Sequence, residues 1–447
     1  MKTIRIGSGA GYAGDIIWPA LDIMEQGDLD YIAFECLAER TIALAQTQKL
    51  ADPGLGYNDR LTERMEKILP LAHKDHIKVI TNMGAANVAG AVAETVRIAR
   101  ELGLAGLKIA GVEGDDITGQ IGRYEDRPLL ESGAPLGSLK DIVSANVYLG
   151  AAGIVEALKR GADIVITGRC ADPALFLAPL IYEFGWQSDD LLGKGTAVGH
   201  LLECGGYLTG GYFAGLGRSH VDDVWDFGYP IAEVREDGSF CVTKLPGSGG
   251  RLDRATCIEQ LLYEIHDPAN YITPDVVADF SHIQFEEVGP SRVKVTGATG
   301  RPATPTYKVS IGYRDGVIGT TEISNGGYGA IERCEIMIEG AKKMWMKRIG
   351  RMPEEHRIGI IGYNAQETGP EIPLPPKELL TEGRIRCAVR GRTREEVQPY
   401  LDCVTSGLGA HACGASVMVH KVVPVLAIAS ILVPKADVEP TVICQEV

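Results

Sequence analysis

Short apolar runs rich in Ile and Val alternate with longer stretches of helical spacing from the start of the chain to about residue 185. The runs at 3–7, 31–34, 77–81, 107–112 and 164–167 read as strands. The last lies in GADIVITGRCADP, residues 161–173, and is apolar or β-branched throughout. A run without polar alternation is buried on both faces, the mark of a parallel strand between helices. Helical spacing fills the gaps near 16–24, 41–50, 59–73, 89–102 and 137–159. Such alternation gives right-handed crossovers and an α/β fold, with a mostly parallel open sheet and flanking helices.

After Trp186 the texture changes. Glycines crowd residues 193–217, and β-rich runs at 231–234, 241–244, 292–295, 307–313 and 317–323 make a β-rich region over about 228–328. Asp315-Gly316 reads there as a hairpin turn. A helix over 331–349 follows, with Lys342, Lys343, Lys347 and Arg348 on it and Arg351 just beyond. That basic run fits a solvated helix face, or a surface for the phosphates of a coenzyme A thioester. A boundary near Arg351-Met352-Pro353 then separates residues 1–350 from 354–447. Beyond it a proline-rich crossing at 370–376, strands at 385–390 and 417–429 and a helix near 394–408 describe a small C-terminal α+β module.

Composition narrows the class. The chain has 447 residues, enough for two or three domains, and its 45% hydrophobic and 23% charged residues match a soluble globular protein. No segment approaches the roughly 18 uninterrupted apolar residues of a membrane helix. The start, MKTIRIGSGAG, enters a strand rather than a signal peptide, so a cytoplasmic location is expected. A net charge of −15 offers no positive face for phosphate backbones, which argues against a nucleic-acid partner. The ten cysteines form no CxxC pair and read as buried small hydrophobes of a reducing compartment. His411, Cys413, His420 and Cys444 match no metal spacing. The abundance of glycine and apolar residues leads us to expect a homo-oligomer.

The chemistry gathers at strand ends. Side chains at the carboxyl ends of buried parallel strands meet the crevice where open α/β sheets bind ligands. That edge carries Asp15, Glu35, Asn82, Asn87, Glu113, Asp115, Arg169 and Asp172, whereas the opposite turns hold glycine and plain charges such as Lys159 and Arg160. The clustering points to a small-molecule site. Asp172 is also placed to cap the helix that Pro173 opens. Gly7, Gly9, Gly11 and Gly14 form a backbone-rich loop with G-x-G-x-x-G spacing. No acidic residue about 20 positions on completes a dinucleotide fingerprint, so no cofactor is expected. The loop at 246–251 reads as an anion wrap or a plain connector. His200 and Glu203 share a helical face within reach of Cys204, an arrangement open to a base, a nucleophile or a structural histidine.

The ordered motifs IRIGSGAGYAGD, DLDYIAFECLAERT, DPGLGYN, KVITNMGAAN, GADIVITGRCADPALFLAPLIYEFGW, GHLLECGGYLTGGYF and TKLPGSGG resemble the acyclic terpene utilisation family, the AtuA-like proteins, over roughly residues 3–350. The remainder is similar to the ferredoxin-like module that family often carries. The resemblance implies a part in the breakdown of citronellol and geraniol, whose intermediates are acyl-coenzyme A thioesters. The sequence departs from the family pattern at Tyr12-Ala13 and at Met83-Gly-Ala-Ala, both beside the expected site.

The reading is a catabolic enzyme acting on a small carboxylic acid or acyl-coenzyme A thioester by lyase or hydratase chemistry, with coenzyme A entering only as part of the substrate. Glu35, Asp172, His200 and Glu203 are candidates for proton transfer, and Arg169 for a bidentate carboxylate clamp. Gly9, Gly11, Asp15, Asn82, Asn87, Glu113 and Cys204 would line the substrate site, with the glycine loop donating N–H groups to developing charge. Two alternatives stand beside it. One is a non-catalytic ligand-binding or scaffold subunit of a catabolic complex. The other is a metal-dependent hydrolase with Asp15, Glu113, Asp115, Asp172 or His200 as hard ligands.

Overall fold

In the computed structural model, which describes residues 2–215, 217, 220–366, 373–406 and 415–447, the early apolar runs become strands. These are β1 (Thr3–Ala10), β2 (Tyr31–Phe34), β3 (Lys78–Thr81), β4 (Lys108–Glu113), β5 (Ile142–Val147) and β6 (Ile164–Thr167). The stretches between them hold α1 (Trp18–Gln26), α2 (Glu39–Ala51), α3 (Leu61–Asp75), α4 (Val88–Glu101) and α5 (Ala152–Lys159). After β6 come α6 (Ala174–Phe184) and α7 (Asp189–Leu202). The pairs β1–β2, β2–β3, β3–β6 and β6–β4 are parallel.

The pleat sorts these strands onto two cores. Along β2, Tyr31 and Ala33 enter the core covered by α5, α6 and α7, while Ile32 and Phe34 enter the one covered by α1, α3 and α4. Neighbours β3 and β6 are therefore followed by helices on opposite faces, α4 and α6. Their loops part, and a crevice opens at their carboxyl ends.

Three expectations fail here. Residues 137–159 are not one helix: β5 and α5 share them, and β5 pairs antiparallel with β14 (Thr306–Gly326). Asp172 does not cap α6; Pro173 occupies that position without a side-chain cap, and Asp172 turns to Arg169 instead. Asp315-Gly316 makes no hairpin, because β14 runs through it as one strand.

The β-rich region contains β7 (Ile231–Arg235), β8 (Phe240–Thr243), β9 (Tyr271–Ile272), β10 (Val277–Asp279), β11 (Gln284–Gly289), β12 (Arg292–Thr296) and β13 (Thr299–Arg301). It also holds a helix, α8 (Arg254–Leu262). Strands β7, β8, β12 and β11 extend the sheet antiparallel beyond β1, and the last strand of the chain, residues 441–446, pairs antiparallel with β4. The ten-stranded sheet is thus mixed rather than mostly parallel: a parallel centre between antiparallel wings.

Two compact units divide the chain, Met1–Tyr313 with Ile428–Val447, and Arg314–Ala427. In the second, the later half of β14 pairs antiparallel with β16 (Glu382–Gly391), which also pairs with β15 (His356–Ile361). Helices α9 (Ala330–Ile349) and α10 (Arg394–Ser406) bury Cys334, Met337, Trp345, Val397 and Leu401 against Ile385, Cys387 and Val389 of β16. The last two long strands are β17 (Ala415–Pro434) and β18 (Thr441–Glu446). Lys342, Lys343, Lys347 and Arg348 lie on the exposed face of α9. His411, Cys413 and the start of the proline-rich crossing, residues 370–372, lie outside the described residues. Among the described residues, no helix is long and apolar enough to cross a membrane.

Candidate functional site

Three neighbouring strand ends build the site. Beyond β2 comes Glu35, beyond β3 Asn82, and beyond β6 the loop Gly168–Asp172. Glu35 Oε1 accepts from Leu37 N at 2.8 Å and from Asn82 Nδ2 at 3.0 Å, while Asn82 Oδ1 takes Cys36 N at 2.7 Å. Burial, and next the charge of nearby Asp172, hold the Glu35 carboxyl well above the usual carboxylate range; Arg169 opposes them.

Arg169 is 1% exposed and spends its donors on the protein. Its Nε reaches Cys170 O at 2.8 Å, Nη1 donates to Leu37 O, and Nη2 donates to Cys170 O and to Asp172. Its guanidinium also stacks 4.5 Å over the Tyr148 ring. The expected bidentate clamp on a substrate carboxylate is therefore corrected: Arg169 is a buried brace that holds Asp172. Asp172 keeps 37% of its side chain accessible. Burial raises its pKa, and the Arg169 charge works against that rise.

A second layer comes from residues that the sequence did not single out. Tyr148 donates to Glu39, and Lys308 Nζ lies 3.4 Å from Glu39 and 4.8 Å from the Tyr148 ring centre. These partners lower the Glu39 carboxyl to about 2, although burial, the largest single influence, acts the other way. Glu39 stands four residues after Glu35, at the start of α2, so its place was readable. Tyr148 and Lys308 arrive by tertiary packing and left no local signal.

His200 and Glu203 do meet, at 2.9 Å from Nδ1 to Oε1. Nε2 lies 3.2 Å from Leu261 O, a carbonyl that accepts its proton. Burial pushes His200 down to about 4 and Glu203 well above its usual range. The ring is packed against Tyr271 and Phe280 at 5.1 and 5.8 Å. His200 is thus a structural histidine of the core. Beside it, burial raises the Cys204 thiol, which makes a poor nucleophile.

The remaining candidates have local work. A Cβ on Gly9 would sit 2.5 Å from the Phe34 ring, and one on Gly11 2.4 Å from the Cys204 backbone, so close packing demands both glycines. The Gly11 amide is taken by Asp15 Oδ2 at 2.9 Å, which removes it as a donor to substrate. Asp15 and Cys204 line a cavity of about 360 Å³ with Tyr12, Trp18, Trp225 and Tyr229. Asn87 caps α4 by accepting Gly90 N at 3.1 Å, and it donates to Pro53 O and Leu55 O. Glu113 and Asp115 line a second, polar cavity. Asp115 also receives Arg169 N at 2.9 Å, which ties that cavity to the Arg169 loop. Among the described residues, no group of three or more His, Cys, Asp or Glu side chains is placed to hold a metal ion.

Fold and site together define a mixed α/β protein whose buried carboxylates converge where parallel strands β2, β3 and β6 end. The chain belongs to the acyclic terpene utilisation family, AtuA, whose sequence model matches residues 4–444. The match runs on through the C-terminal stretch, past the region of the motifs. No curated protein and no solved structure matches the chain.

Proposed function

We propose that the side-chain cluster at the ends of β2, β3 and β6 moves protons on a small carboxylic acid or its coenzyme A thioester, in lyase or hydratase chemistry. The observation that carries the reading is the contrast between Glu35 and Asp172. Burial favours a carboxylic acid at Glu35, against the pull of the Leu37 and Asn82 donors, whereas Asp172 is accessible and braced by Arg169, which favours a carboxylate. Two carboxyl groups with environments this different divide acid and base roles. Asp172 would take the proton from carbon beside the carbonyl. Glu35 would give its proton to the hydroxyl one carbon further on, which leaves as water while the double bond forms. Lys308, 42% exposed, is a cation for the developing negative oxygen.

The aromatic cavity beside Cys204 suits the apolar tail of such a thioester, and the family name agrees with a terpenoid or similar branched chain. Exchange of substrate C–H for deuterium across a panel of short acyl thioesters and hydroxy acids, followed by NMR, tests the reading. Asp172→Asn and Glu35→Gln should each slow exchange by about 10²–10⁴-fold. Exchange at the parent rate in both variants would overturn these roles, and no exchange by the parent with any compound of the panel would favour the scaffold alternative.

A further inference from the structure

The second cavity stands apart from the proton-transfer reading and does not rest on it. It holds about 170 Å³ and is lined by Lys49, Asn87, Val88, Glu113, Asp116 and Asn146 among others. A cavity of about 150 Å³ accommodates a benzene-sized molecule, so this one suits a ligand of about six to eight heavy atoms.

Its lining carries both signs of charge. Helix α4 begins there, and the first-turn amides of Val88 and Ala89 have no acceptor within the helix. Lys49 stands beside them, with Nζ donating to Ala86 O at 2.6 Å and two further N–H groups to offer. A helix start next to an ammonium group attracts a carboxylate.

The lining also carries Glu113, Asp115 and Asp116, three carboxyl groups against the single Lys49 cation. Asp116 Oδ1 is bonded to Thr118 N at 2.9 Å, and Asp115 Oδ2 to Asn146 Nδ2 at 2.9 Å. The second observation is Asn146 itself. It is 0% exposed and forms part of the cavity wall, yet its Oδ1 has no hydrogen-bond partner. A buried acceptor left unmade costs free energy, and a donor on a ligand would recover it.

We propose that this cavity binds a small zwitterionic amino acid, its carboxylate on the α4 amides and Lys49, its ammonium group toward Asn146 Oδ1, Glu113 and Asp116. A hydroxy acid of the same size brings the carboxylate without a positive charge to meet the acidic groups. A simple amine brings the charge and leaves Lys49 and the helix start unanswered.

Isothermal titration of the full chain with glycine, alanine, serine and β-alanine reads this directly, with lactate, N-acetylalanine and ethylamine as controls. At least one free amino acid should bind, and its hydroxy or N-acetyl counterpart should bind about tenfold more weakly or less. Glu113→Gln and Lys49→Gln change partly exposed positions. Each should weaken the amino acid about tenfold, while Glu113→Gln should leave any binding of lactate unchanged or stronger. A parent-like melting temperature in both variants separates lost binding from lost fold. Lactate binding as tightly as alanine would overturn the ammonium assignment. Absence of heat with every amino acid up to roughly 10 mM would overturn the site. Neither result touches the deuterium-exchange test.

Discussion

At the residue scale, Arg169 and Asp172 can be separated by what each loses. Arg169→Met strips donors from Leu37 O and Cys170 O and leaves Asp172 without its cation, so a loss of about 3 kcal/mol in unfolding free energy is expected from denaturant titration. Asp172→Asn keeps an acceptor for Arg169 and leaves a half-accessible side chain in place. It should cost under about 1 kcal/mol while abolishing most of the proton exchange. A variant pair with these effects exchanged would make Asp172 the brace and Arg169 the reactive group. Glu35, Asn82, Arg169 and Asp172 were legible because each follows a short apolar run, and strand ends project to one edge. The use of Arg169 was not legible. Whether a guanidinium faces substrate or backbone depends on Leu37 O, a carbonyl 132 residues away in sequence.

At the scale of elements, the short fully apolar strands were readable almost to the residue, whereas β5 was not. Ile142–Val147 contains Ser144, Ala145 and Asn146, which weaken the β signal, and an Ala-rich helix follows at once. What makes it a strand is its pairing with β14, far along the chain. Asp315-Gly316 failed for a related reason: Gly316 does take φ of 75°, but β16 pairs with residues 317–326 and carries the strand onward. The start of α4 offers a direct test of an element boundary. Asn87→Ala removes the cap on Gly90 N together with two bonds to the 53–55 turn, and should cost about 2 kcal/mol in urea unfolding. The same change should loosen the amino-acid cavity, since Asn87 forms part of its wall. A loss below about 0.5 kcal/mol would mean that water replaces the cap and both turn bonds.

For the whole molecule, burial of titratable groups sets how stability follows pH. Burial raises Asp115 and Asp275 to about 6 and Glu35 and Glu203 well above their usual range, so the folded chain holds more protons there than the unfolded one. Their contribution is complete below the unfolded carboxyl range and is lost as pH rises through the folded values. His200 has the opposite sign. Its folded pKa of about 4 lies below the unfolded one, so its contribution is present above pH 6.5 or so and is lost as pH falls toward 4. Between pH 7 and 5 His200 loses about 2 kcal/mol, while Asp115 and Asp275 together gain about 2.7 kcal/mol and Glu35 and Glu203 add to that gain, so the net is a rise in stability on acidification. A charge of −15 adds to that rise, because self-repulsion eases as carboxylates protonate. His200→Gln keeps a donor for Leu261 O, removes only the titrating ring, and leaves the overall charge repulsion unchanged. The difference between variant and parent therefore reports His200 together with its bonded partner Glu203. The variant should be less stable at pH 7, yet its urea midpoint should climb more steeply from pH 7 to pH 5, by the equivalent of about 2 kcal/mol. Parallel slopes would show that His200 titrates in the folded protein much as it does unfolded.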